Sequence, residues 1–137
     1  MATEHPARAA SKRSKSAVER KAKDEWLALF AEDAIIEDPV GVSIFDPEGK
    51  GHVGKAEIAA FWDRHIGPNT VKFNILHSYA AGDEVANTGT ITTTLENGTT
   101  VTVEGTFVYK VNKAGKLVSL RGFWEVDKMS LSRPSEE

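Results

Sequence analysis

From Val71 to Val126 the chain reads as one strand after another, and no other feature limits its possible folds so tightly. The segments Val71–Ala81, Glu84–Glu96, Thr99–Val111 and Lys116–Val126 are rich in Val, Ile, Thr and aromatic residues, the types that suit a pleated, half-buried surface. Between them lie Ala81-Gly82-Asp83, Asn97-Gly98 and Asn112-Lys113-Ala114-Gly115, turn sequences too short for anything but hairpins. An antiparallel meander follows.

The period of two along a strand then fixes the register of the central hairpin. Ile91, Leu95, Val101, Val103, Phe107 and Tyr109 are odd-numbered, whereas Thr90, Thr92, Thr94, Thr102 and Thr106 are even-numbered. Keeping the apolar set on one face requires opposed residues to sum to an even number. A two-residue Asn97-Gly98 loop gives an odd sum and mixes the faces. A three-residue loop, Glu96-Asn97-Gly98 with Gly98 left-handed, keeps them sorted. The expectation is the three-residue loop, an apolar inner face that also carries Asn87, and a threonine-rich outer face.

Upstream, Ala9 to Lys23 holds good helix formers with few large apolar side chains, and Asp24 to Phe30 offers an Asp cap followed by a dense apolar turn. Two consecutive helices are predicted, the second more buried. Ala34-Ile35-Ile36-Glu37-Asp38 is a short strand stopped by Pro39, which turns Asp38 to the side of Ile36 and Glu37 toward solvent. Val40 to Gly54, with four glycines and Pro47, is a long loop of the kind that forms lids and pocket rims. Ile58, Phe61, Trp62 and His65/Ile66 recur at helical spacing until Gly67-Pro68-Asn69 ends a third helix. Helices followed by a meander make an α+β two-layer domain with a curved sheet wrapped around a helix. With 137 residues, 40% of them hydrophobic, one core is expected over 9–128, with tails at 1–8 and 129–137.

Several function classes drop out. A net charge of −3 gives no attraction to phosphate backbones or anionic membranes. The basic run of Arg8, Lys12, Arg13, Lys15, Arg20, Lys21 and Lys23 reads as a solvated helix face. No cysteine is present, which excludes disulfides, thiolate zinc sites and cysteine nucleophiles. No apolar run approaches the ~18 residues of a membrane span, and Met1 to Ala10 lacks a signal-peptide hydrophobic region. A soluble cytoplasmic protein is expected. His5, His52, His65 and His77 fall in different elements, so no metal is expected. There is no Gly-x-Ser-x-Gly elbow, and Asp46-Pro47-Glu48-Gly49-Lys50-Gly51 lacks the Lys-Ser/Thr ending of a phosphate loop.

What remains is a carboxylate among apolar neighbours: Asp38 lies between Ile35, Ile36, Pro39 and Val40. A desolvated carboxylate has a raised pKa and serves as a general base. The same residue equally suits a cap for the turn Pro39-Val40-Gly41.

Phe30-Ala31-Glu32-Asp33-Ala34, then Glu37-Asp38-Pro39-Val40-Gly41, then Ile58-Ala59-Ala60-Phe61, and the closing run Gly115 to Trp124 resemble the Δ5-3-ketosteroid isomerases over roughly residues 10 to 127. The resemblance implies a cone-shaped, nuclear-transport-factor-2-like (NTF2-like) or SnoaL-like fold. Three N-terminal helices would pack on a curved antiparallel sheet around an apolar pocket with Asp38 at its mouth. It implies a cytoplasmic homodimer that takes a steroid-like hydrophobic small molecule, needs no cofactor, metal, nucleic acid or membrane, and uses Asp38 to carry a proton from C4 to C6 of the steroid. The pocket would be lined by Val40, Phe61, Phe107, Tyr109, Leu120 and Trp124, with Phe123 a plausible neighbour. In that family the base works beside an oxyanion hole made of a Tyr and a protonated Asp. Here those positions hold Ser14 and Phe107, and the supporting tyrosines are replaced by Phe30 and Trp62. Tyr109, Asn87 and Ser14 are the candidate replacement donors. Weak turnover of standard ketosteroids is expected, and a non-catalytic binding module or a dimeric interaction domain are the alternatives.

Overall fold

The computed structural model describes residues 4–133. Helices α1 (Pro6–Glu19) and α2 (Lys23–Ala28) lead into strand β1 (Phe30–Glu37), a two-residue strand β2 (His52–Val53) and helix α3 (Gly54–Phe61), which continues as a single wide π turn over Trp62–Ile66. Strands β3 (Thr70–Ala81), β4 (Glu84–Thr94), β5 (Thr100–Val111), β6 (Leu117–Phe123) and β7 (Ser130–Ser132) complete the chain. The sheet runs β2-β1-β6-β5-β4-β3, with β7 also paired to β5.

The hairpin register is the one the alternation requires. Thr94 opposes Thr100 and Ile91 opposes Val103, so opposed residues sum to an even number around the loop Glu96-Asn97-Gly98. Leu95 N–H bonds to Thr99 O at 2.8 Å, and Gly98 takes φ +88°, the left-handed conformation that glycine adopts without strain. Thr92 and Thr102 face each other on the outer side, hydroxyls 3.1 Å apart.

Four features differ from the sequence reading. The sheet is mixed, because β1 runs parallel to β6; hairpin signals fix neighbours along the chain and say nothing of how a distant strand joins. Helix α1 begins at Pro6, with His5 accepting from Ala7 N–H, and Ser130–Ser132 pairs with β5, so both ends of the domain reach further than residues 9–128. The outermost parts of the two tails, residues 1–3 and 134–137, lie outside the described residues. Helix α1 is also the more buried of the first two. It hides Ala7, Ala10, Ser11, Ser14, Ala17 and Val18, while α2 hides Trp26 alone. A stripe of small residues gives little hydrophobic signal yet lets a helix lie close on a sheet. Glu37 pairs with Arg121 at 3.2 Å rather than facing solvent, its side chain only 19% exposed.

On the sheet's concave side Trp26, Phe30 and Trp62 form an aromatic cluster, with Trp26 edge-on to Phe30 at 4.8 Å and tilted to Trp62 at 5.2 Å. Trp26 is 1% exposed, and its indole N–H donates to Ser14 Oγ at 3.1 Å, as a buried indole requires. On α1, Lys12 pairs with Glu4, while Arg20 at its C-cap and Lys23, the first residue of α2, pair with Glu25 and Asp63. Among the described residues no helix is long and apolar enough to cross a membrane.

Candidate functional site

Strands β1 and β6 end side by side, with Glu37 opposite Arg121 as the last matched pair. Asp38 follows, beside Gly122, where any Cβ would run into Asp38 Oδ1. Two residues further, on the same side of the alternation, Trp124 donates its indole N–H to Asp38 Oδ1 at 2.6 Å. A bond that short to a carboxylate is charge-assisted. Burial pushes the Asp38 carboxyl above its ordinary range, while the Trp124 hydrogen bond and a charge on His52 pull the other way. The surface that Asp38 keeps faces a cavity.

That cavity has two lobes sharing Asp38, Phe61, His65, Ile91 and Thr93. The outer lobe, about 340 Å³, is lined by Phe45, Trp124 and Met129 among others; the inner, about 120 Å³, runs down to Ser14, Trp26 and Tyr109. The outer volume alone falls within the range of small-molecule sites. Asp38 therefore stands at the waist where the two lobes meet. Among the described residues no three His, Asp or Glu side chains approach closely enough to hold a metal ion.

Of the residues read from the sequence, Phe61, Phe107, Tyr109, Leu120 and Trp124 line the cavity, as does Ser14. Val40 does not. The chain turns at Pro39, and Val40 bonds through its N–H to Gly122 O at 2.9 Å, which places it in a separate shallow depression with Glu104 and Phe123. Phe123 has the parity opposite to Trp124, is 43% exposed and lies under the Arg121 guanidinium at 5.1 Å. Asn87 is 1% exposed and lines neither lobe, because α1 covers it: its amide donates to Ser11 Oγ at 3.3 Å. Of the three candidate donors only Tyr109 and Ser14 reach the cavity. Burial holds the Tyr109 phenol well above its usual range, the Asp38 charge adds to this, and the nearby Ser14 hydroxyl opposes it. The phenol stays protonated and can donate.

The sequence reading missed Phe45, His65, Asn69, Thr93 and Met129 as lining residues. His65 was legible in part, since it lies four residues after Phe61 on one helical face. Its ring sits 5.0 Å from Phe61 and 6.1 Å from Phe45, and the His52 ring also lies 4.9 Å from Phe61. Burial lowers the pKa of both imidazoles. Phe45 is delivered by the long loop. Ser43 and Asp46 bond to each other through their backbones, Ser43 Oγ accepts from Phe45 and Asp46 N–H, and Asp46 Oδ2 accepts from Gly51 N–H at 2.7 Å. The braced turn lays the Phe45 ring 5.7 Å from Trp124.

A SnoaL-like domain pattern matches residues 12–120, most of the chain. The protein belongs to the SnoaL-like family. Within this NTF2-like superfamily it is similar to the Δ5-3-ketosteroid isomerase from a Mycobacterium species, with 38% identity, a TM-score of 0.91, and coverage of 94% of this chain and 100% of the other. It is similar also to protein RV0760c from Mycobacterium tuberculosis solved in complex with estradiol-17β-hemisuccinate, with 37% identity, a TM-score of 0.89, and coverage of 93% and 99%. A computationally designed 17-OHP binder matches at 34% identity and a TM-score of 0.91, over 94% of this chain and 100% of the other. No curated protein matches the chain at a significant level. The SnoaL-like chain thus has a ketosteroid-isomerase-like ligand-binding fold, three helices on a curved, unclosed mixed sheet of seven strands.

Proposed function

We propose that the protein is a steroid Δ-isomerase-like enzyme of the cytoplasm. It would bind a flat hydrophobic ligand and move a proton next to a carbonyl, with Asp38 as the base. The observation that carries the reading is the desolvated Asp38 carboxylate at the cavity waist, oriented by Trp124 at 2.6 Å. Asp38 takes a proton from the carbon between a carbonyl and a C=C bond; the electron pair moves onto the carbonyl oxygen as a dienolate. Return of the proton to the far alkene carbon leaves a conjugated enone and the carboxylate. No cofactor enters this balance.

The developing oxyanion needs donors, and the inner lobe offers Tyr109 with Ser14 beside it. Phe107 supplies none, so one of the family's two donors has no counterpart at its position. Losing a donor costs on the order of a hundredfold in rate, which sets the expected turnover of standard ketosteroids low. That same replacement supports a second reading, a binding module that keeps the ligand and has lost the chemistry. In either case the threonine-rich outer sheet face around Thr90, Thr92 and Thr102 is the surface for a homodimer.

The test is conversion of a Δ5-3-ketosteroid to its conjugated isomer, followed by ultraviolet absorbance, for wild type and Asp38→Asn. Turnover by wild type alone supports the base assignment. Binding without turnover by either moves the protein to the second reading. A wild type that binds no steroid sinks both.

A further inference from the structure

Resting on that ligand reading, a count of hydrogens in the inner lobe says how its hydroxyls are arranged toward the ligand carbonyl. Ser14, Trp26 and Tyr109 line the inner lobe and not the outer, and all three are buried. The Trp26 indole N–H donates to Ser14 Oγ at 3.1 Å. An indole nitrogen cannot accept, so that bond has one direction. The Ser14 hydrogen is not engaged in the usual way. Ser11, on the same helix, turns its hydroxyl back onto Arg8 O at 2.9 Å, the common habit of a helical serine; among the described residues Ser14 donates to no backbone carbonyl.

Tyr109 is the neighbour that remains. Burial is the main influence on its phenol and raises the pKa, and the Ser14 hydroxyl works the other way by favouring the charged form. Apart from each other, the two hydroxyls have no hydrogen-bond partner but Trp26 among the described residues. Between them they hold two hydrogens, and a bond from one to the other uses one. The second is left for whatever occupies the lobe. Trp26 decides which hydroxyl keeps it. An oxygen that already accepts a hydrogen bond is a poorer acceptor and its O–H a better donor, the mutual polarisation of hydrogen-bond chains. Ser14 then donates to Tyr109, and the phenol hydrogen is the free one.

We propose that Trp26 is a positioning residue that sets a one-way hydrogen-bond chain, from its indole N–H through Ser14 to Tyr109 and from the phenol to the ligand carbonyl oxygen. Charge developing on that oxygen is met by a polarised donor rather than by a phenol alone, in a lobe where Phe107 supplies none. Ser14 stands where the Δ5-3-ketosteroid isomerases have their oxyanion tyrosine. The position keeps a part in the oxyanion site while the contact with the ligand passes to β5.

The probe is a steroid whose first two rings are a naphthol, because its bound anion mimics the dienolate and its ultraviolet absorbance reports the fraction ionised. All proteins carry Asp38→Asn, so that no carboxylate competes for the proton. Ser14→Ala is expected to lower the acid dissociation constant of the bound naphthol about tenfold and Trp26→Phe about threefold, for hydrogen bonds one and two links behind the donor. Added to Ser14→Ala, Trp26→Phe should have no further effect, because the indole then has nothing to act through. A Trp26 that acts only by packing on Phe30 and Trp62 would change the constant equally in both backgrounds. That result, or no shift in either single variant, overturns the chain and leaves the ligand reading standing. If the naphthol steroid does not bind the parent, both fall. Should Trp26→Phe fail to fold, the Trp26 indole N–H proton resonance decides: it should move downfield as the bound naphthol ionises in the parent and hold still in Ser14→Ala, and equal behaviour in the two overturns the proposal.

Discussion

Replacing Trp124 by Phe removes one hydrogen-bond donor from Asp38 and keeps an aromatic ring in the outer lobe. The donor stands 2.6 Å from Oδ1 and stabilises only the charged carboxylate, so its loss raises the Asp38 pKa beyond what burial already does. A hydrogen bond to a charged group is worth about 1.5–3 kcal/mol. At 1.36 kcal/mol per pH unit, that moves the ionisation upward by about one to two units. The assay is the pH dependence of kcat/KM, whose acid limb reports the ionisation of the base in the free enzyme. Below the wild-type limb the variant should be slower by about tenfold or more. Above both limbs the two should agree within a few-fold, because a carboxylate of higher pKa is no weaker as a base. The same displacement should appear in a carboxyl ¹³C titration of the free protein, which needs no turnover. An acid limb and a titration that stay where they are in wild type would refute the account of Trp124 as the group that holds Asp38 ionised.

Gly122→Ala places a methyl group against Asp38 Oδ1 without asking for a left-handed backbone. Displacing the carboxylate by even ~1 Å should cost on the order of a hundredfold in kcat while calorimetric ligand affinity changes little; unchanged kcat would show that Asp38 need not sit where it does. Stability should also depend on Asp38. Burial raises its folded pKa above the unfolded value, so its contribution is fully present below the unfolded pKa and is lost as pH rises through the folded one. Wild type should therefore lose Tm on that climb and Asp38→Asn should not, leaving the variant the more stable near pH 7; parallel Tm curves for the two would contradict the direction of the shift.

The strands were legible because their information is local. Alternation of Ile91, Val101, Val103 and Phe107 with Thr90, Thr92, Thr102 and Thr106 leaves one register for the hairpin, and Asn97-Gly98 supplies the turn that register needs. Asp38 was legible for a similar reason, its face set by Ile36 and its strand end by Pro39. Helix α1 was harder to read, since Ala7, Ala10, Ser14 and Ala17 are buried by being small, and small residues carry almost no periodic signal. The outer lobe was hardest. Phe45, Asn69 and Met129 come from a loop, a helix end and the segment before β7, and only the closed fold brings them together. Val40 and Asn87 failed for the complementary reason. Alternation stops predicting orientation once the chain turns at Pro39, and it says nothing of the helix that covers Asn87.

The pairing of β1 with β6 explains why the base can stand where it does. A parallel pair has no turn to fix its register, so its side chains must do so. Ile36 opposes Leu120 on the inner face, and Glu37 opposes Arg121 on the outer, bonded at 3.2 Å. A directly opposed pair of opposite charges contributes about 0.2–1 kcal/mol. A slip by one residue would lose that pair and also turn Leu120 out of the core. With the register held, the next inner position of β6 beside Asp38 is Gly122, whose missing side chain leaves room for the carboxylate, and the one after is Trp124, whose indole reaches back to it. Two inner positions of β6 and the residue just past its end thus give a core contact, a gap and a donor in the order a buried carboxylate needs. The adjacent strand β5 puts Tyr109 opposite Leu120 and Phe107 opposite Gly122. The single protein donor that β5 offers to a dienolate therefore lies on the side of Asp38 away from Trp124, and this argues that the ligand carbonyl points into the inner lobe.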